Sequence, residues 1–189
     1  MNPIKYLVIC SLKYLRIRKT LKHIKNGVNI LDIGCGDCAL LNKIKNRIKC
    51  GVGIDERIKP QKNNNIELKK LSIKTGLPFE KSTFDVITMT AFIEHLDNPY
   101  KLLNDVNRVL KKNGLIIITT PTPKSRPIWE FLVNLGFSDE ESDEEGVNAH
   151  KHYFNLNELS TILKETGFKI VESKLFEFGM NSFIVGEKL

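Results

Sequence analysis

Residues 28–36 read Val28-Asn-Ile-Leu-Asp-Ile-Gly-Cys-Gly36, a short β-branched apolar run that breaks abruptly into a glycine turn. The run has the length and composition of a buried strand, and the two glycines allow a turn too tight for other residues. Residues 39–48 then carry a helical pattern and residues 51–55, Gly-Val-Gly-Ile-Asp, a second strand. A strand, a glycine turn, a helix and another apolar strand make one βαβ unit.

The pattern continues outward. Residues 66–71 form a weaker third strand, Phe84–Thr90 a strong fourth, and residues 99–112 a helix stopped by Asn113-Gly114. Residues 115–120 are apolar and β-branched, and Pro121 and Pro123 end that fifth strand. Continuously apolar strands alternating with helices imply a parallel sheet covered on both faces. In the tail, residues 156–166 are helical, Gly167 stops them, and residues 168–176 and 181–187 form two strands across a tight Phe178-Gly-Met-Asn link. The expected fold is a single α/β domain with a seven-stranded, mostly parallel sheet and an antiparallel edge made by the last strands. Its parts are a helix in 1–26, a core in 27–121, an insert in 122–155 and a helix with a strand pair in 156–189.

Two stretches depart from this alternation. Residues 55–66 leave little room for a crossover, and with Pro60 and Asn63-Asn-Asn65 inside them the second helix is expected to be a stub. In 122–155, residues 128–135 read as a helix, with Trp129 and Phe131 on it, and an acidic run follows at 138–145. That run is expected to be a solvated loop or a lid over the pocket.

Before the glycine turn, Leu7, Cys10, Tyr14, Ile17, Leu21 and Ile24 recur at helical spacing, and Asn26-Gly27 closes the segment. The first 30 residues hold seven basic residues and no acid, which equals the whole net charge of +7, so the remainder is neutral. A nucleic-acid enzyme spreads basic residues over its substrate face more often than it confines them to one segment. The basic stripe suits either packing on the core or weak peripheral contact with an anionic membrane. No run reaches the roughly 18 apolar residues of a transmembrane helix. The four cysteines, at 10, 35, 38 and 50, make a poor disulfide framework, so a reduced, cytoplasmic setting is expected. Cys35 and Cys38 have no second Cys or His pair at zinc spacing, and no metal site is expected.

Gly34, Cys35 and Gly36 lie where open α/β sheets bind ligands, beyond the strand carboxyl ends. Taken alone, Gly34-Cys-Gly36-Asp-Cys-Ala39 also satisfies a dinucleotide pattern, with Asp55 at a distance suited to ribose. Asp32 separates the two readings: a carboxylate before the first glycine suits an ammonium-bearing cofactor and repels a pyrophosphate. Asp55, closing the second strand, can accept both hydroxyls of a vicinal diol.

Residues 30–36, Gly53-Ile-Asp55, Leu77-Pro-Phe79, Phe84-Asp-Val-Ile87, Glu94-His-Leu96 and residues 110–115 resemble, in order and spacing, the successive motifs of class I S-adenosylmethionine-dependent methyltransferases. The nearest likeness is to the ubiquinone/menaquinone-biosynthesis-like branch. It spans about 28–120 and extends weakly through His150-Lys-His-Tyr-Phe154 and Glu165-Thr-Gly-Phe168. The resemblance implies a Rossmann-like fold and S-adenosylmethionine as cofactor. Asp32 and the Gly34-Cys35-Gly36 loop would hold its methionine end, Asp55 its ribose, and Thr90 and Ala91 its far side. Two departures stand out. Cys38 occupies the place of the usual third glycine, and the acid that contacts adenine is missing. Lys70, Leu71 and Ser72 stand there instead, leaving adenine to backbone groups or Ser72. His150 and His95 are the candidate bases. The implied acceptor is a small molecule, hydrophobic or lipid-like. RNA or protein methylation and a non-catalytic cofactor-binding module remain as alternatives.

Overall fold

The computed structural model describes residues 3–127 and 151–189. The strands are β1 (Asn29–Ile33), β2 (Cys50–Asp55), β3 (Gln61–Asn63), β4 (Ile66–Lys70), β5 (Phe84–Thr90), β6 (Leu110–Pro121), β7 (Phe168–Phe176) and β8 (Asn181–Lys188). The helices are α1 (Pro3–Leu21), α2 (Ala39–Ile44), α3 (Pro99–Val109) and α4 (Leu156–Glu165). The sheet order is β3-β4-β2-β1-β5-β6-β8-β7. Strands β4, β2, β1, β5 and β6 run parallel, β8 and β7 close one edge antiparallel, and β3 lies antiparallel at the other.

The α/β architecture and the antiparallel edge of the last strands are as expected, with eight strands in place of seven. The additional one is β3, which replaces the expected helical stub. An extended chain advances about 3.3 Å per residue against 1.5 Å for a helix, so a short connection returns across the sheet most economically as a strand. Asn64 makes the β3–β4 turn with φ +49°. Asn65 pins that turn by donating from Nδ2 to the carbonyls of Lys45 (2.8 Å) and Ile48 (2.9 Å).

Strand alternation sorts the core into two layers. On one face Leu31, Ile33, Ile87, Met89, Ile116 and Ile118 meet Leu102, Leu103 and Val106 of α3 and Leu159 and Leu163 of α4. Asn98 caps α3 by accepting from Tyr100 N, and Asn155 and Glu158 cap α4 reciprocally. On the opposite face Ile30, Val86, Ile117, Phe183 and Val185 meet Ile17 of α1, Leu40, Leu41 and Ile44 of α2, and Ile24.

The basic N-terminal helix thus packs on the core. Its regular part ends at Leu21, short of Ile24, because His23 N and Ile24 N bond the carbonyls of Thr20 and Leu21 in tighter turns. Helices α2 and α3 also end earlier than expected, α3 because Leu110 already pairs with Phe84 in the sheet. The expected helix at 128–135, Trp129, Phe131, the acidic run and His150 lie outside the described residues.

Candidate functional site

The site begins with the parity of the strands. At their carboxyl ends, β2, β1, β5 and β6 turn polar on the α1 face: Asp55, Asp32, Thr88 with Thr90, and Thr119 alternate with Ile54, Ile33, Met89 and Ile118 on the other. Deeper on that same face the side chains are apolar. A polar band therefore crosses the sheet on the face against which α1 packs through Ile17. An ion pair from Lys13 to Asp37 ties α1 to the glycine loop.

Gly34 turns the chain with φ +70°, donating its N–H to Ile54 O at 2.9 Å. A Cβ there would stand 2.1 Å from the Phe92 ring, so only glycine fits. Gly36, at φ +51°, has open space where a Cβ would sit, and its N–H donates to Asp55 Oδ2 at 3.1 Å. Asp55 Oδ1 accepts from Arg57 N at 2.9 Å, which orients the carboxylate over the loop. Asp32 is buried, and its Oδ1 accepts from Thr88 Oγ1 at 2.6 Å. Burial pushes its carboxyl up to about 7, partly offset by the Thr88 hydroxyl and reinforced by the charge of Asp55.

Cys38 adopts the left-handed conformation, φ +61°, at the position of the missing third glycine. Its thiol points at Cys35 Sγ, 3.6 Å away, and burial pushes both thiols up, away from the reactive thiolate. Ser72 follows β4 and caps the turn at Ile73–Thr75, its hydroxyl accepting from Lys74 N at 3.4 Å. Leu71 N donates to Asp55 O, so the Ser72 segment adjoins the loop carrying Asp55. Thr90 ends β5 half-buried. Ala91 takes φ +52° and donates to Thr119 O at 2.8 Å, bending the chain out of the strand over the site.

His95 and its neighbour Glu94 have different environments. His95 is exposed on the turn Ile93–His95. Glu94 is fully buried on the opposite face, accepting from Thr120 Oγ1 at 3.0 Å, and burial pushes it up to about 7. Its carbonyl accepts from His152 N at 3.1 Å, and Lys151 pairs with Asp97 at 2.6 Å. These contacts fasten the chain immediately after residue 150 to the turn that carries His95.

The structure brings together Asp32, Gly34, Cys35, Gly36, Asp55, Thr90 and Ala91 at the strand ends, with Ser72 beside Asp55. Sequence reasoning missed Thr88 and Thr119. Their signal was a hydroxyl at an inward position near the end of a strongly apolar strand. Two carboxylates flanking an open glycine cradle suit an ammonium and a diol, and oppose phosphate. The donor set therefore fits S-adenosylmethionine. Among the described residues no cluster of three or more His, Cys, Asp or Glu could hold a metal ion.

The comparisons agree with this chemistry. The family model described as "Methyltransferase domain" matches residues 9–173. A ubiquinone/menaquinone biosynthesis C-methyltransferase of Campylobacter jejuni is 24% identical over 192 residues, covering 88% of this chain and 81% of that one. An uncharacterized protein of Methanocaldococcus jannaschii is 28% identical, covering 89% of this chain and 72% of its own. The solved S-adenosylmethionine-dependent methyltransferase of Mesorhizobium loti superposes with a TM-score of 0.72 at 14% identity, over 93% of this chain and 97% of that one, a likeness of fold. With the family model matched over most of its length, the chain belongs to the methyltransferase domain family and is a class I S-adenosylmethionine-dependent methyltransferase.

Proposed function

We propose that this methyltransferase acts on a small molecule taken up beneath α1, with the residues of the polar band dividing the work. The observation that carries the reading is the depth of the band: Asp32, Thr88 and Thr119 are buried on the face where α1 packs through Ile17, and the Lys13–Asp37 pair ties α1 to the glycine loop. Polar groups set this deep are reached by a small acceptor far more readily than by a folded macromolecular surface. The quinone-biosynthesis name of the Campylobacter relative agrees with a small, apolar-bodied acceptor.

Asp32 accepts from the ammonium of the cofactor and Asp55 from its ribose hydroxyls. Gly34, Cys35 and Gly36 let the backbone approach, Ser72 and the Leu71 backbone flank the adenine, and Thr90 and Ala91 close the far side. When bound, the cofactor would supply a methyl group that passes from its sulfonium to the acceptor by in-line displacement, with S-adenosylhomocysteine as the leaving group. Positioning and exclusion of water supply much of the rate. A protic acceptor also needs a base, the role of His150 with His95 beside the segment anchored by Lys151 and His152. Weak, salt-dependent contact with anionic membranes would use Arg18 of α1 and Lys22 and Lys25 just after it, all three exposed. Binding to anionic vesicles at low salt, lost at high salt, supports that contact. No binding at low salt discards it.

Incubation with methyl-labelled cofactor and fractionated cell extract tests the main reading. Label should enter a small-molecule or lipid fraction, and His150→Ala should lower turnover about 10²-fold with cofactor affinity nearly unchanged. Label confined to RNA or protein would overturn it.

A further inference from the structure

Beyond the cofactor residues, the α1 face holds a second polar set with unmet hydrogen-bonding capacity. Thr119 Oγ1, Asn181 Oδ1, Glu177 Oε1 and Arg16 Nε are buried atoms with no hydrogen-bond partner among the described residues. Thr119 is fully buried and Asn181 is 5% exposed. Unmet polar atoms at such depth are destabilising unless something satisfies them. Four on one face are capacity that a ligand can use.

Strand register brings them together. Thr119 pairs with Thr90 on β5, so it stands one strand further from the glycine loop, at a spacing of about 4.8 Å. On its other side β8 places Phe183 opposite Thr119 and Asn181 opposite Pro121, two residues on. Thr119, Pro121, Asn181 and Phe183 share the parity of Ile117, hence the α1 face. Asn181 Nδ2 donates to Glu177 Oε2, which leaves Asn181 Oδ1 and Glu177 Oε1 unpartnered. Arg16, on α1 next to the core residue Ile17, faces the same end and its charge acts on Glu177.

The chemistry of the unmet atoms selects the occupant. Asn181 Oδ1 and Glu177 Oε1 need donors, Arg16 Nε needs an acceptor, and Thr119 can serve either way. An anionic group would oppose Glu177, a cationic one would oppose Arg16, and an apolar one would leave all four unmet. A neutral hydroxyl donates and accepts at once. We propose that Thr119, Asn181, Glu177 and Arg16 form an acceptor-specificity site that selects a neutral hydroxyl-bearing group on the substrate. The proposal rests on the small-molecule reading above and names what that small molecule must carry.

The test uses full-length labelled protein and four probes of one size: benzyl alcohol, toluene, benzoate and benzylamine. Each is titrated with and without saturating S-adenosylhomocysteine, following the Asn181 side-chain amide and the Thr119 methyl by NMR. Benzyl alcohol should move both signals saturably and bind about fivefold or more tighter than the other three. Asn181→Leu should bring benzyl alcohol to the affinity of toluene with S-adenosylhomocysteine affinity unchanged, and Thr119→Val should weaken benzyl alcohol by a smaller factor. Equal binding of benzyl alcohol and toluene, tighter binding of benzoate or benzylamine, or variants without effect would overturn the proposal. Thermal melting of both variants accompanies the titration. If Asn181→Leu does not fold, the near-isosteric Thr119→Val carries the test. Failure of the wild type to bind S-adenosylhomocysteine would count against the cofactor roles, while the probe titration without it still reads this site.

Discussion

The two faces of the sheet, compared at the carboxyl ends of the same strands, solve different problems. Toward α3 and α4 the ends stay apolar, with Ile54, Ile33, Met89 and Ile118 buried and one carboxylate, Glu94, sealed under Thr120. Toward α1 the neighbouring residues are Asp55, Asp32, Thr88, Thr90 and Thr119. In the proposed reading one residue of strand contributes to stability and the next to recognition. The buried acids cost folding energy on both faces, and on the α1 face the proposed cofactor would offset that cost.

The largest effect that would sharpen this contrast comes from truncating adjacent parities. Met89→Ala should cost about 2–5 kcal/mol of stability in denaturant melts. Asp55→Ala should leave stability nearly unchanged and weaken S-adenosylmethionine binding by about 1–3 kcal/mol in calorimetry. A loss of stability from Asp55→Ala as large as that from Met89→Ala would break the division between faces.

Glu94 gives the second effect. Because its folded pKa is raised to about 7 from an ordinary 4.5, its contribution is full below about 4.5 and lost as pH rises through 7. Glu94→Gln should therefore match the wild type near pH 4.5 and exceed it by about 3 kcal/mol near pH 8. Equal pH profiles of wild type and variant would show that the carboxyl is not held protonated.

On the other face Asp32 is likewise raised to about 7, from an ordinary 3.8, so its contribution is full below about 3.8 and lost as pH rises through 7. Here a bound ammonium would restore the carboxylate, so binding should release a proton. Affinity for S-adenosylmethionine should rise about tenfold between pH 5.5 and 7 and become flat in Asp32→Asn. Calorimetry in buffers of different ionisation enthalpy detects the released proton directly; no buffer dependence would contradict the role.

The smallest effect is at Cys38, whose left-handed backbone favours glycine. Cys38→Gly should change stability by about 1 kcal/mol or less, because relief of backbone strain offsets the lost buried thiol. Cys38→Val should cost more, since a β-branched residue is strongly disfavoured at positive φ. Thermal melts of the two variants give the comparison.

What the amino-acid sequence determined by itself was local. The β-branched runs, the glycine turn and the spacing of Asp32 and Asp55 were legible because side chains alternate with period two along any strand, whatever its neighbours. The antiparallel end of the sheet was legible too, since the link before Asn181 is too short for a crossover. The path of residues 56–65 was not: choosing between a helical stub and β3 depended on an open sheet edge beside β4, and on the Lys45 and Ile48 carbonyls that hold Asn65. The left-handed turn at Cys38 was likewise hidden, because nothing in the residue type announces it. Only the tertiary structure decided that Arg16, Thr119, Glu177 and Asn181 share one end of one face. Their meeting depends on the β6–β8 register and on where α1 lies, and both are set by apolar packing of Ile17, Ile117, Phe183 and Val185 rather than by the polar residues themselves.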